Sequence, residues 1–404
     1  MFHNSSIFST IFWKYLLHLQ KGYALGKYNK QSSYYALPIL LLIIVVIILF
    51  FGLKPKTVSN GNDIHWLSDK KALSFHSHGI AYVDDTHIFT YKQHSSDFTI
   101  KLSVTPENIV KQSFRSILMM HGEDDRHQLV IWQWGSAVIV MNGDDYDYSK
   151  KWPRVSAIEA LTPGEANFIT ITSGAPGTRL FINGILAEEN KNWKLTVPDD
   201  GKKLRLILGN SVYGKHGWEG EIYGVELHGG ASPPERVKRD YDRWLHQGHF
   251  SPDLTDDLQF LYSFGNCEGR LTPDQTGRNQ PLQLPSRLVM LKKVFLSSPS
   301  HNFNPNQSFF IDVLLNLCGF IPLGAVAYCW LGRSKLVSKK HEALVIITFC
   351  FSLSLCMEML QAWLPGRTSS ALDLILNTLG AWLGILLLNI IQRAQKDTLL
   401  KWWT

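Results

Sequence analysis

Apolar residues are distributed in two textures along this 404-residue chain. Four long runs show no polar alternation: Ala36 to Leu53, Phe309 to Leu331, Ala343 to Leu364 and Ala371 to Ile391. Each approaches the ~20 residues a helix needs to cross the hydrocarbon core of a bilayer, so each reads as a membrane span. Between the first and second runs the texture changes to short alternating stretches separated by turns, too long and too polar to lie in a membrane.

That middle region reads as strands. His127 to Asp145 is two alternating runs bridged at Gly135, and Phe168 to Gly174 is another strand. Thr178 to Glu189 is a hairpin turning at Asn183-Gly184, a pair suited to the positive φ angles of a tight hairpin turn. Leu204 to Asn210 and Gly220 to Gly230 add two more, followed by a helix-like stretch from Ser232 to Leu245. Many short strands with regular turns predict a jelly-roll or sandwich architecture. The expected fold is therefore a multi-domain membrane protein with a transmembrane anchor helix, an all-β sandwich and a C-terminal α-helical bundle of three spans. The boundaries expected are 1–35 for an N-terminal segment, 36–53 for the anchor, 61–298 for the β domain, 305–392 for the bundle and 393–404 for a tail.

Charge sets the expected threading. The first 35 residues carry Lys14, Lys21, Lys27 and Lys30 and no acid, which holds this end in the cytoplasm. Ile7 to Leu19 suits a short helix lying in the interface. The first run lacks a small-x-small cleavage site and ends in Lys54-Pro55-Lys56, the pattern of an uncleaved signal anchor. With the β domain outside, the second inter-span loop and the tail must face inward. Both are basic, with Arg333, Lys335, Lys339 and Lys340 in one and Arg393, Lys396 and Lys401 in the other. The net charge of +6 is dispersed, with no basic helix or aromatic-basic stripe, which argues against a nucleic-acid partner. Of five cysteines only Cys267 lies in the β region, so that region is expected to hold no internal disulfide.

The order of motifs in the β region then becomes specific. Phe181, Asn183 and Gly184, then Leu208 and Gly209, then Trp218, Gly220 and Ile222 resemble the laminin-G / concanavalin A-like lectin family. The resemblance implies a jelly roll of a superfamily whose members bind sugars, proteins or lipids, some hydrolysing glucans. Leu258 to Pro285 looks like the opening strand and loop of such a domain; its late position leaves open a permuted order or a second, partial unit. Glu219, Glu221 and Glu226 lack the spacing of a hydrolase's paired carboxylates. Trp132 and Trp134 share one strand face, where they read as core residues or as a sugar-stacking platform. Asp124 and Asp125, with Asp144, Asp145 and Asp147, are candidate calcium ligands or simply solvated loop tips. His76 and His78 are a weak metal pair, since no further ligand set accompanies them.

The last three spans contain residues that hydrocarbon excludes: Asp312 and Asn316, Glu358 and Gln361, Asp373 and Asn377. Intramembrane carboxylates are costly and point to function by default. At ~1.5 Å per residue, all six fall within about 10 Å of the outer ends of their helices. Spacings of three or four place each pair on one helix face, and Arg367 in the outer loop sits above them. Three carboxylates and one guanidinium suggest a shared ionic site; interhelical glue is the alternative. Gly380 and Gly384 make a small-residue face for close helix packing, and Pro322 marks an expected bend in the second span.

The run Asp312, Asn316, Gly319, Phe320, Pro322, Gly324, then Glu358, Gln361, Pro365, Gly366, Arg367, then Asp373, Asn377, Gly380 resembles the VanZ-like family. The resemblance implies a bacterial membrane protein associated with teicoplanin-type glycopeptide resistance and envelope polysaccharide. Family members usually have four membrane helices, and here the first would be Ala36 to Leu53, with the β domain inserted after it. Two functions follow as expectations. In one, the β domain binds an envelope glycan or lipid-linked precursor while the bundle anchors or shields it. In the other, Glu358 and Asp373 (with Asp312 as a further candidate) are acid and base on a polyprenyl-linked glycan whose phosphate Arg367 holds.

Overall fold

The computed structural model describes residues 30–54, 61–84, 97–109, 113–122, 127–143, 154–198, 204–250, 255–265, 269–298, 307–334, 336–364, 367 and 369–401. The chain divides into two compact units: Thr57–Lys292, and a second built from Met1–Lys56 together with Lys293–Thr404.

The first unit is a sandwich of two eight-stranded sheets. In chain order its strands are β1 (Ile64–Leu67), β2 (Ala72–Phe75), β3 (Ala81–Asp84), β4 (Phe98–Pro106), β5 (Phe114–His121), β6 (Leu129–Trp134), β7 (Ala137–Asn142) and β8 (Arg154–Ala157). There follow β9 (Asn167–Gly174), β10 (Gly177–Ile182), β11 (Ile185–Asn190), β12 (Arg205–Leu208), β13 (Gly220–Gly229), β14 (Leu258–Ser263), β15 (Leu271–Thr272) and β16 (Leu282–Gln283). One sheet runs β1-β2-β13-β4-β9-β10-β11 with β14 beside β13, and the other runs β15-β16-β3-β12-β5-β6-β7-β8. The Asn183-Gly184 hairpin forms as the sequence requires, both residues at positive φ and Ile182 opposite Ile185.

The 258–285 segment is neither a second unit nor detached. Its strand β14 pairs with β13, and β16 pairs with β3, so it closes both sheets of the same sandwich.

Strand alternation has a different consequence on each sheet. Along β4, Phe98, Ile100, Leu102 and Val104 enter the core between the sheets, while Thr99, Lys101, Ser103 and Thr105 face away from it. Every residue of β4 is nonetheless buried, because helix α2 (Pro234–Gln247) and its flanks cover part of the outward side. That helix starts at a proline, which needs no N–H at the first helical position, and ends at Gly248 with φ +70°. On the second sheet, Met119, Val130, Trp132, Ile139 and Met141 form an outward cluster with Val212, packed against Tyr213, Leu288 and Leu291.

The second unit is helical: α1 (Lys30–Leu53), α3 (Gln307–Ser334), α4 (Lys339–Gln361) and α5 (Ala371–Lys401). All four are long and apolar enough to cross a membrane. The first helix belongs to this bundle despite its distance in sequence, since Leu37 is buried against Ala325, Val326 and Leu388. Helix α4 stops at Gln361, three residues short of the apolar run, as the chain approaches Pro365. Helix α3 runs unbroken through Pro322.

Candidate functional site

The polar residues of the bundle gather where the C-termini of α1 and α4 meet the N-terminus of α5. Helix ends leave backbone groups without intrahelical partners, and these ends recruit the charged residues. The carboxylate of Glu358, 1 % exposed, accepts a hydrogen bond from the Ser370 N–H at 2.7 Å. Ser370 is the N-cap of α5, its hydroxyl accepting the Leu372 N–H at 3.2 Å. In an ordinary capping box the acid three residues into the helix, here Asp373, would reach back to that Ser370 N–H. Glu358 from the neighbouring helix takes its place, its oxygen satisfying an N–H at the start of α5.

Arg367 does the reverse at α1. Its guanidinium donates to the Phe51 carbonyl at 3.0 Å and to the Lys54 carbonyl at 2.8 and 3.0 Å. A cation at a helix C-terminus, hydrogen-bonded to the last carbonyls, is favourable on both counts. Gln361 adds a third tie, donating to the Gly52 carbonyl at 2.8 Å. Deeper in the bundle, the Asn377 side chain donates to the Ser354 hydroxyl at 2.9 Å, both residues being buried. Among the described residues, Ser369, Asp373 and Arg367 also act on Glu358. A strand-like segment closes the site: Ser297 N–H and hydroxyl both donate to the Ser369 carbonyl, and Ala371 N–H donates to the Ser297 carbonyl.

The structure thus brings together Glu358, Gln361, Arg367, Asp373 and Asn377, but not as the four-charge ionic site expected. Arg367 is engaged with carbonyls, because an uncapped α1 terminus would otherwise leave them unsatisfied. Asp312 lies apart, exposed on α3, while Asn316 is half-buried. Helix α3 presents Leu317, Phe320 and Ile321 to Gly380 and Gly384 of α5, and Asp312 is outside that stripe. Sequence reasoning missed Ser354, Ser369 and Ser370. Only Ser370 left a signal, since Ser370-x-x-Asp373 before an apolar run is a capping-box pattern.

In the β unit, Trp132 is 1 % exposed, its ring 5.6 Å from Phe114 and 5.2 Å from His216. It is a core residue and not a sugar platform, since the Val212 and Leu288–Leu291 segments cover that sheet face. Trp134 is half-buried and lies against Phe114 at 4.4 Å. Asp124, Asp125, Asp144 and Asp145 lie outside the described residues, and among those described no group of three or more His, Cys, Asp and Glu side chains is placed to hold a metal ion. His76 and His78 diverge, one 3.6 Å from Glu107 and the other 3.7 Å from Asp63.

His216, which faces Trp132, supplies a pH prediction. Burial, reinforced by the charge of Lys215, pushes its imidazole down to about 4. A group whose folded pKa is depressed in this way contributes stability above its unfolded value, near 6.5, and loses it as pH falls toward 4. The ring keeps some solvent access, so the expected loss is about 2 kcal/mol. The thermal midpoint of the wild-type β unit should fall between pH 6.5 and 4.5, and that of His216→Gln should stay nearly flat over the same window. Equal slopes would assign the acid response to another group.

Residues 261–392 match the model of the VanZ/LLP1 family, a third of the chain. Four candidate spans and this match make the chain a membrane protein. No curated protein matches it. Among solved structures, it is similar to a Bacteroides ovatus protein solved as a candidate carbohydrate binder, at 16 % identity and TM-score 0.38, covering 54 % of this chain and 61 % of that one. The chain therefore spans less than two thirds of that protein. It is also similar to domain 4 of the extracellular arabinanase AbnA from Geobacillus stearothermophilus, at 16 % identity and TM-score 0.34, covering 44 % and 84 %. A third similarity is to the CBM40 of the Ruminococcus gnavus IT-sialidase, at 11 % identity and TM-score 0.32, covering 42 % and 95 %.

Proposed function

We propose that this is a multi-pass protein of the bacterial cytoplasmic membrane whose β-sandwich faces outward and binds envelope glycan or a lipid-linked precursor. Both termini lie on the cytoplasmic side in this reading. The role is in envelope polysaccharide handling or in resistance to glycopeptides of the teicoplanin type. The basic loops at 333–340 and 393–401 support the orientation. The ordered motifs from Phe181 to Ile222 support a lectin-like sandwich, and the VanZ/LLP1 match supports an envelope role.

One observation favours binding over catalysis: Glu358 and Arg367 are both committed to capping helix ends. A general acid or a phosphate-holding guanidinium would have to leave a backbone partner to act. Glu358→Gln keeps an oxygen that accepts the Ser370 N–H but cannot exchange a proton. Cells carrying it should therefore keep wild-type lipid-linked glycan pools and glycopeptide susceptibility. An altered pool, with insertion and thermal stability unchanged, would support the alternative, an outer-leaflet enzyme using Glu358, Asp373 and Arg367. For the β-sandwich, the full chain in detergent should bind envelope polysaccharide on a glycan array. Repeating the array with and without calcium reports on the acidic loops.

A further inference from the structure

The chain enters and leaves the β unit at one place. Near its start, the Asn62 side chain donates to the Ile80 carbonyl at 2.9 Å and to the Pro285 carbonyl at 2.8 Å. The Asn62 backbone N–H donates to the Ser286 carbonyl at 3.2 Å. Entry and exit are thus stitched together, and both continue in sequence into apolar spans. Leu53, the last residue of α1, precedes Asn62 by nine positions. At ~3.5 Å per residue that tether reaches at most about 30 Å, which keeps this end of the sandwich near the bilayer.

Strand register fixes which other residues share the end. Ile64 is opposite Phe75, Phe75 opposite Gly220, and Gly220 opposite Pro106, the last residue of β4. Asn167, opposite Val104, starts β9; two residues on, Ile169 is opposite Ile182, which is itself opposite Ile185. On the second sheet Ala81 is opposite Leu208, and Leu208 opposite Leu118. Phe114 is then opposite Trp134, Trp134 opposite Ala137, and Val138 opposite Ala157. Ile158 directly follows Ala157 and Ile185 opens β11, so both sit where the chain enters and leaves.

Among the described residues, the large hydrophobic side chains exposed on the β unit are Ile158, Ile185, Leu186, Leu245 and Leu271. The two most exposed are Ile158 at 81 % and Ile185 at 73 %. Leu186 follows Ile185, and Leu245 lies one helical turn beyond Tyr241, whose ring is against Gly184 of the hairpin turn. Four of the five therefore gather at the tethered end. Exposed hydrophobics scattered singly are ordinary, but a group on the tips of separate elements marks an interaction surface. Exposed charges beside them have both signs, Glu159, Glu165 and Asp242 against Lys215, and so offer no single-sign field to a polyion.

We propose that this end of the sandwich docks on the lipid surface, Ile158 and Ile185 entering the boundary between headgroups and acyl chains. Burial of apolar side chains at that boundary drives the docking. The tether makes it intramolecular, so a small patch suffices. The proposal is independent of what the sandwich binds, and it fixes which end is turned toward the bilayer.

Photo-crosslinking of the full chain in lipid nanodiscs tests it. A benzophenone amino acid replaces Ile158, Ile185 or Ala175, and adducts are identified by mass spectrometry. Ala175 is the control, exposed in the β9–β10 turn beside the start of β4. The nine residues of β4 put it about 30 Å from the patch. Lipid adducts at Ile158 and Ile185 should exceed those at Ala175 roughly tenfold and should persist at high salt. With the crosslinker in place of Leu245, Ile158→Ser together with Ile185→Ser should cut lipid adducts severalfold. The thermal midpoint should hold, since both side chains are exposed. Lipid adducts no more abundant at Ile158 and Ile185 than at Ala175 overturn the proposal, as do adducts to a second copy of the chain in place of lipid. An undiminished yield in the double serine variant overturns it as well.

Discussion

Lys101→Met should destabilise the β unit by ~3–5 kcal/mol, the largest single effect expected there. Lys101 is 3 % exposed and is held between two carboxylates on different elements, Glu226 on β13 and Asp240 on α2. Methionine fills the same volume, so the loss is electrostatic. Two buried carboxylates are left without their shared cation, and desolvation that the ion pairs offset is no longer offset. Against burial, which pushes it up, the Glu226 carboxyl is held at about 2 by the hydrogen bond from His228 and the charge of Lys101. In a unit of this size the change corresponds to a fall of about 10 °C in thermal midpoint, measured by tryptophan fluorescence of the solubilised chain. Lys101→Met combined with Glu226→Gln and Asp240→Asn should recover more than half of it, because a missing network costs less than a half-satisfied one. A triple variant as unstable as the single would mean that Lys101 acts through packing.

The second large effect lies in the helical unit, where Gly380→Leu should abolish the folded bundle. A Cβ on Gly380 would overlap the Leu317 carbonyl oxygen, and one on Gly384 would overlap that of Ile321. From the other side, a Cβ on Gly324 would overlap the Ala381 carbonyl oxygen. Helices α3 and α5 therefore touch backbone to backbone, and a side chain at any of the three positions must drive them apart. Overpacking costs ~1–3 kcal/mol where side chains can yield, and more where the obstacle is backbone. Packing is also what drives helix association in lipid, so the loss has no hydrophobic compensation. Gly319→Leu is the internal control: it belongs to the same sequence motif, yet a Cβ there meets nothing within 4 Å. Protease protection of the membrane-inserted chain should be lost in Gly380→Leu and kept in Gly319→Leu. Protection in both would show that α3 and α5 can separate without penalty.

The contrast between those two glycines shows how far sequence carries. Spacing placed Gly380 and Gly384 on one helix face, correctly, and left Gly319 indistinguishable from them. Contact depends on which face of α3 turns toward α5, and an almost uniformly apolar helix does not encode that face in its polarity. Asp312 was grouped with Glu358 and Asp373 for the same reason. Its depth along the helix could be read, but its direction could not. Arg367 was placed at the same end of the bundle as Glu358, but its hydrogen bonds to Phe51 and Lys54 were not legible, since the orphan carbonyls of a helix some 300 residues earlier leave no mark in the local sequence.

What the sequence determined by itself rests on local periodicity. Four apolar runs, the strands β6, β7 and β9, the Asn183-Gly184 hairpin and the helix-like stretch from Ser232 to Leu245 all follow from neighbour spacing and backbone preference. The tertiary structure alone decided what those elements do to each other. It assigned β14 and β16 to the same sandwich, buried Trp132 beneath Leu288 and Leu291, and set Glu358 at the N-cap of α5. It also brought Lys101 and Asp240 together across 139 positions of chain. A strand's pattern says which side of it is buried; only the partner that covers that side decides whether a buried charge is paired.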